Sequence, residues 1–143
     1  MNSFRYLDHT ADVGIEVIAE TLNDLYCTAA QALTKLFMDD SSIDQGETRT
    51  ITLHAQDNES LLFQWLNEIL FLFDSEGFIL KEVYQIEIAM TAENMFKLEA
   101  SLAGERFNPE RHQVRTYVKA ATYHHLSITS DQSSFRARIF LDV

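Results

Sequence analysis

Residues 57–77 read Asp57-Asn58-Glu59-Ser60-Leu61-Leu62-Phe63-Gln64-Trp65-Leu66-Asn67-Glu68-Ile69-Leu70-Phe71-Leu72-Phe73-Asp74-Ser75-Glu76-Gly77. Leu61, Leu62, Trp65, Leu66, Ile69, Leu70 and Phe73 recur at helical spacing behind the polar Asp57-Asn58, and Gly77 is placed to stop the helix after Ser75-Glu76. The segment is apolar on more than one side. A helix of that kind is either sandwiched in a core or offers a face to a partner. Gln64, Asn67 and Glu68 interrupt its apolar run, which is too short to span a bilayer.

Working outward, Leu22, Leu25, Ala29, Leu33, Leu36 and Phe37 predict a second helix from Leu22 to Phe37, with Thr21 as N-cap and Asp24 three positions on. Elsewhere the alternation is that of strands: Phe4 to Leu7, Val13 to Ile18, Thr50 to His54, Val83 to Met90, Met95 to Leu102, Tyr117 to Ala121, Leu126 to Thr129 and Phe135 to Leu141. Ala92-Glu93-Asn94 and the stretch from Asp131 to Ser134 are short enough to close hairpins. The expected class is therefore α+β, two helices packed on one side of a largely antiparallel sheet.

Size and composition agree with one domain over residues 1–143. A chain of this length buries about 68–70% of the surface that its unfolded form exposes, enough for a core without disulfides or a structural metal. The single cysteine, Cys27, forms no internal pair, which suits a reducing cytoplasm, and its place in the first helix makes it a small core residue. The formal net charge of −11 repels a phosphate backbone, so strong direct nucleic-acid binding is not expected. Met1-Asn2-Ser3-Phe4-Arg5 lacks the apolar run of a secretory signal, and neither a Walker loop nor a GxSxG or GxGxxG pattern occurs.

Three stretches could carry chemistry. Leu7-Asp8-His9-Thr10-Ala11-Asp12-Val13-Gly14 crowds two carboxylates, an imidazole and a hydroxyl between two strands. Asp8 and Asp12 could offer hard oxygens to Ca²⁺ or Mg²⁺, or could simply form an Asx turn and a strand end. The strand ending Leu141-Asp142-Val143 places carboxylates at its close, or merely ends with Asp142 in water. The third, from Leu102 to His112 and Val118 to His125, holds three of the five histidines. Adjacent His124 and His125 point to opposite faces of a strand, which makes a poor zinc site. Acid–base chemistry would require His124, Lys119 and Glu105 to meet across neighbouring strands, the alternative being polar pairs on a half-solvated sheet.

Taken together, Tyr6-Leu7-Asp8-His9-Thr10-Ala11-Asp12-Val13-Gly14-Ile15, Trp65-Leu66-Asn67-Glu68-Ile69-Leu70, Gly104-Glu105, His112, Val118-Lys119-Ala120-Ala121-Thr122-Tyr123-His124 and Leu141-Asp142-Val143 resemble the archease family over essentially the whole chain. The resemblance implies a small, non-catalytic protein cofactor of the GTP-dependent RNA-splicing ligase, which joins 2′,3′-cyclic-phosphate or 3′-phosphate RNA ends to 5′-hydroxyl ends. It implies promotion of ligase guanylylation, repeated turnover and a broader nucleotide choice. It also implies a divalent metal, usually calcium, on Asp12, Asp142 and the Val143 main chain, with Asp8 a neighbouring candidate. His9, Glu105, Lys119 and His124 are further residues that the resemblance attaches to the acidic tip or to ligase activation. Asn108, Tyr117 and Phe135 depart from the family's usual Asp or Glu, Glu and Trp, without touching those ligands. Two other readings stand beside it: a general chaperone or modulator of RNA-modifying enzymes, and a small metal-dependent hydrolase using Asp8, Asp12 and His124. The hydrolase requires a deep pocket; the cofactor requires an exposed acidic tip.

Overall fold

The structure, a computed structural model, describes residues 2–8 and 12–143. In chain order it contains β1 (Ser3–Asp8), β2 (Asp12–Ala19), α1 (Leu22–Phe37), a short 3-10 turn (Asp40–Ser42), β3 (Glu47–Ala55), α2 (Asn58–Glu76), β4 (Phe78–Met90), β5 (Phe96–Arg106), β6 (Ala120–Ser130) and β7 (Phe135–Asp142). All strand pairings are antiparallel. They form two sheets rather than one, ordered β1-β2-β7-β6 and β3-β5-β4.

The doubly apolar character of α2 explains the second sheet. Each helix touches strands of both sheets, so the pair forms a middle layer with a cover on either side. Leu61, Leu62, Trp65 and Leu66 are fully buried on α2, and Leu25, Tyr26, Ala29 and Leu33 on α1. The Trp65 indole donates to the Tyr26 carbonyl at 3.0 Å, which satisfies its N–H inside the core. One cluster of buried side chains joins both helices to Ile15, Val17, Ile139 and Leu141 of the first sheet and to Leu98 and Leu102 of the second.

Helix boundaries follow the capping chemistry. The Thr21 hydroxyl accepts from the Asp24 N–H at 3.0 Å, and the Asp57 carboxylate accepts from the Ser60 N–H at 2.7 Å. Gly77 stops α2 in the left-handed region, at φ 67°, with its N–H on the Leu72 and Phe73 carbonyls. Both expected hairpins form. Asn94 takes φ 59° in the β4–β5 turn, and Asp131 accepts the Ser133 and Ser134 N–H groups at 2.8 and 2.9 Å between β6 and β7. The two strands expected at Tyr117 to Ala121 and Leu126 to Thr129 are corrected to the single β6. Its register against β7 breaks between Thr122 and Ser127, so the interruption is a bulge within one strand.

Candidate functional site

β2 and β7 are central neighbours of the four-stranded sheet, and their register sets Asp12 directly opposite Asp142. Directly paired residues share a face, with Cα atoms about 4.5–5.5 Å apart. Strand alternation turns Ile15, Val17, Ile139 and Leu141 into the core and leaves Asp12, Gly14 and Glu16 with Asp142, Phe140 and Arg138 on the opposite face. Asp142 is exposed and Asp12 half-buried. The Lys119 N–H donates to the Asp142 carbonyl at 2.8 Å, so β6 begins beside the pair. Asp8 pairs with Val13 and has the alternate parity to Asp12; Val143 follows β7 and is exposed. His9 and Thr10 lie outside the described residues.

The β6 bulge sits two residues along from the carboxylates. Tyr123, His124, His125 and Leu126 fall between the paired Thr122 and Ser127, and His125 takes φ 57°, a backbone conformation that a side-chain-bearing residue occupies at a cost. The bulge sends its rings in different directions. Tyr123 stacks on Phe63 of α2 at 4.0 Å, whereas His124 and His125 touch at 4.0 Å and His125 meets Phe140 edge-on at 6.0 Å. Phe140 in turn lies over Gly14, where a Cβ would come within 2.8 Å of the ring. The start of β6 is pinned from the helix layer: the Asn67 side chain accepts from the Ala121 N–H at 2.9 Å and donates to its carbonyl at 3.2 Å. The expectation that His124 and His125 point to opposite faces of a regular strand is corrected, because the positive φ of His125 brings the two rings together. The one signal of this in the sequence is the break in alternation after Ala121.

Glu105, Lys119 and His124 do not meet across neighbouring strands. β5 and β6 belong to different sheets, which corrects that expectation. Glu105 instead ties two loops together. Its carboxylate accepts the Asp44 N–H and two Arg111 bonds, at 2.6 and 3.1 Å, and lies 3.4 Å from His112 Nε2. Burial pushes its carboxyl up, but the Asp44 N–H, Arg111 and His112 outweigh it and hold the group below the ordinary carboxylate range. His112 Nδ1 accepts from the Asn108 N–H at 2.8 Å, which assigns the ring proton to Nε2, facing Glu105. On α1, burial pushes the Cys27 thiol up to about 11, so it is a packing residue without nucleophilic character at neutral pH.

Two opposed carboxylates suit a hard divalent cation in donor chemistry, because such ions take oxygen ligands and offset the repulsion of like charges across a strand pair. In number they are only part of a shell. Among the described residues no group of three or more His, Cys, Asp or Glu side chains is gathered to hold a metal. A cavity of about 180 Å³ opens on the outer face of the three-stranded sheet, lined by Thr50, Thr52, Gln85, Glu87, Glu99 and Ser101 among others, none of them from the acidic pair. Among the described residues no helix is long and apolar enough to cross a membrane.

Comparison with known proteins converges on one description. The profile of the Archease protein family matches residues 4–143. A curated relative from Sulfurisphaera tokodaii, named Protein archease, is 32% identical over 143 residues, covering 100% of both chains. The solution structure of a Methanobacterium thermoautotrophicum protein superposes with a TM-score of 0.83 at 29% identity, covering 98% of each chain. A Thermotoga maritima crystal structure, described as an archease and possible chaperone, shares the fold with a TM-score of 0.59 at 19% identity, over 96% of this chain and 94% of that one.

Proposed function

The chain belongs to the archease family, and from that premise we propose that it is a non-catalytic, cytoplasmic protein cofactor of a GTP-dependent RNA-splicing ligase. In this role it promotes transfer of GMP onto the ligase, sustains multiple turnover and broadens the ligase's use of nucleotides. The observation that carries the reading is the register of Asp12 against Asp142, which concentrates negative charge at one end of the sheet. An acidic edge complements a ligase pocket that must be positive to hold GTP and RNA.

Asp12, Asp142 and the Val143 main chain are the residues that would hold a calcium ion, with Asp8 close by. When bound, such an ion supplies a positive charge between carboxylates that otherwise repel. Lys119 fixes the Asp142 main chain through its N–H, and the β6 bulge presents His124 beside the same strands. Lys119 and His124, together with His9, are the further residues assigned to ligase activation. Glu105 contributes only through the loops it ties. The second reading, a chaperone or modulator of RNA-modifying enzymes, draws support from the description of the Thermotoga maritima protein as a possible chaperone.

RNA ligation under multiple turnover, with limiting ligase, GTP and divalent metal, tests the proposal. Wild-type protein is expected to stimulate product formation and Asp12→Ala to lose that stimulation. Stimulation by both discards the acidic site and keeps the role. No stimulation of a cognate ligase overturns the role in favour of the chaperone reading.

A further inference from the structure

Glu16 is only 3% exposed although it lies on the face turned away from the helices, and what covers it is arginine. Arg138, directly across on β7, donates from Nε to Oε2 at 2.7 Å; Arg5, directly across on β1, donates from Nε to Oε1 at 2.8 Å. Arg136 places Nη1 3.4 Å from Oε2. The Arg138 bond, opposed by burial and aided by Arg5, holds the Glu16 carboxyl below its ordinary range.

One guanidinium neutralises one carboxylate, so this cluster carries a local surplus of positive charge on a chain whose formal net charge is −11. Like charges held side by side cost energy that the fold alone does not demand. The Arg5, Arg136 and Arg138 side chains remain 64%, 50% and 48% exposed. Among the described residues Glu16 engages Nε of Arg5 and Arg138, and with both side chains this exposed their terminal nitrogens, the pair that forks a carboxylate or phosphate, are accessible from outside. Anchored at Nε, both side chains have already lost part of the freedom that binding would otherwise remove. Four residues along the same face lie Asp12 and Asp142, about 13 Å away at the rise of a strand. The face therefore has an acidic end and a basic band.

Building on the ligase reading above, we propose that this face of the β1-β2-β7-β6 sheet is a polarised docking surface. Arg5, Arg136 and Arg138 engage a carboxylate-bearing patch of the ligase and thereby aim the acidic edge into its pocket. An RNA backbone following the strands from the arginines would run onto Asp12 and Asp142, and the chain's formal net charge of −11 repels it. A folded protein can set its carboxylates against the arginines and its basic pocket against the aspartates. Such complementarity fixes register and speeds encounter.

Arg136→Glu is the informative variant, because Glu16 keeps its two close bonds to Arg5 and Arg138 and the fold is retained, as a circular-dichroism melt would verify. Binding to the apo ligase, followed at low and moderate salt, is expected to weaken about tenfold or more, chiefly through association rate. Arg136→Lys is expected to retain most of the affinity, and salt to narrow the gap between wild type and Arg136→Glu. Wild-type affinity in Arg136→Glu overturns the docking surface while leaving the ligase role standing. A loss seen only with RNA present assigns the arginines to phosphate and overturns it too. Wild-type protein that neither binds nor stimulates the ligase overturns both readings together.

Discussion

Glu16 and Glu105 are both nearly buried carboxylates held below their ordinary range, Glu16 by arginine and Glu105 by the Asp44 N–H together with Arg111, yet their partners come from opposite kinds of structure. Glu105 draws on loops, taking Asp44, Arg111 and His112 from the segments that follow α1 and β5. Its bonds close the molecule on itself. Glu16 draws on strands already fixed by their ladders, so its bonds to Arg5, Arg136 and Arg138 add little to the fold and arrange charge on the outside. The same chemistry thus serves cohesion at one site and presentation at the other, and the difference lies in whether the partners would be ordered without the carboxylate.

The most severe way to break the comparison is next to Glu105. A Cβ on Gly104 would come 1.9 Å from the Ile79 carbonyl oxygen, a clash of backbone with side chain that no rotamer relieves. Gly104→Ala is expected to lose more than about 4 kcal/mol of stability in chemical denaturation, or to fail to fold. Glu105→Gln comes next. It removes the closer of Arg111's two charge partners and leaves Asp44 at 3.2 Å, and Arg111 is 45% exposed and reaches water, so the loss should be about 2–3 kcal/mol. Both carboxyls are held below their unfolded values, so their stabilisation is present above the unfolded carboxylate pKa of about 4.3 and is lost as pH falls through the folded one. Acid melts of Glu105→Gln should therefore show a shallower loss of stability below about pH 4 than wild type. Glu16→Gln should have the smallest effect, about 1–2 kcal/mol, since all three arginines have water to turn to. If Glu16→Gln proved as damaging as Glu105→Gln, the division between cohesion and presentation would collapse.

Much of this was legible in the sequence, and the reason is local chemistry. Thr21 and Asp57 cap the helices, Gly77 ends the second, and Asn94 and Asp131 form the turns, each through bonds to residues within five positions. What escaped depends on partners far along the chain. The division into two sheets follows from which strands find each other across the helices, and the single β6 was hidden because its bulge breaks the alternation that marks a strand. For the candidate site, Asp12 and Asp142 were visible as residues, but their register could come only from the fold. Glu16 had a faint signal: an acid inside the apolar run Val13 to Ile18, matched by Arg136 and Arg138 two apart on the last strand.

The strand order has a consequence for the chain as it is made. β2 is synthesised long before β7, with both helices and four strands between them, yet they are immediate neighbours at the centre of their sheet. Until residues 135–142 have left the ribosome, β1 and β2 can form no more than a hairpin with one open side, which is marginal in water by itself. Pairings between such distant segments also form slowly. The acidic edge and the arginine band both need β7, so a nascent chain would display neither. Translation, in effect, withholds the charged face until the core beneath it can close.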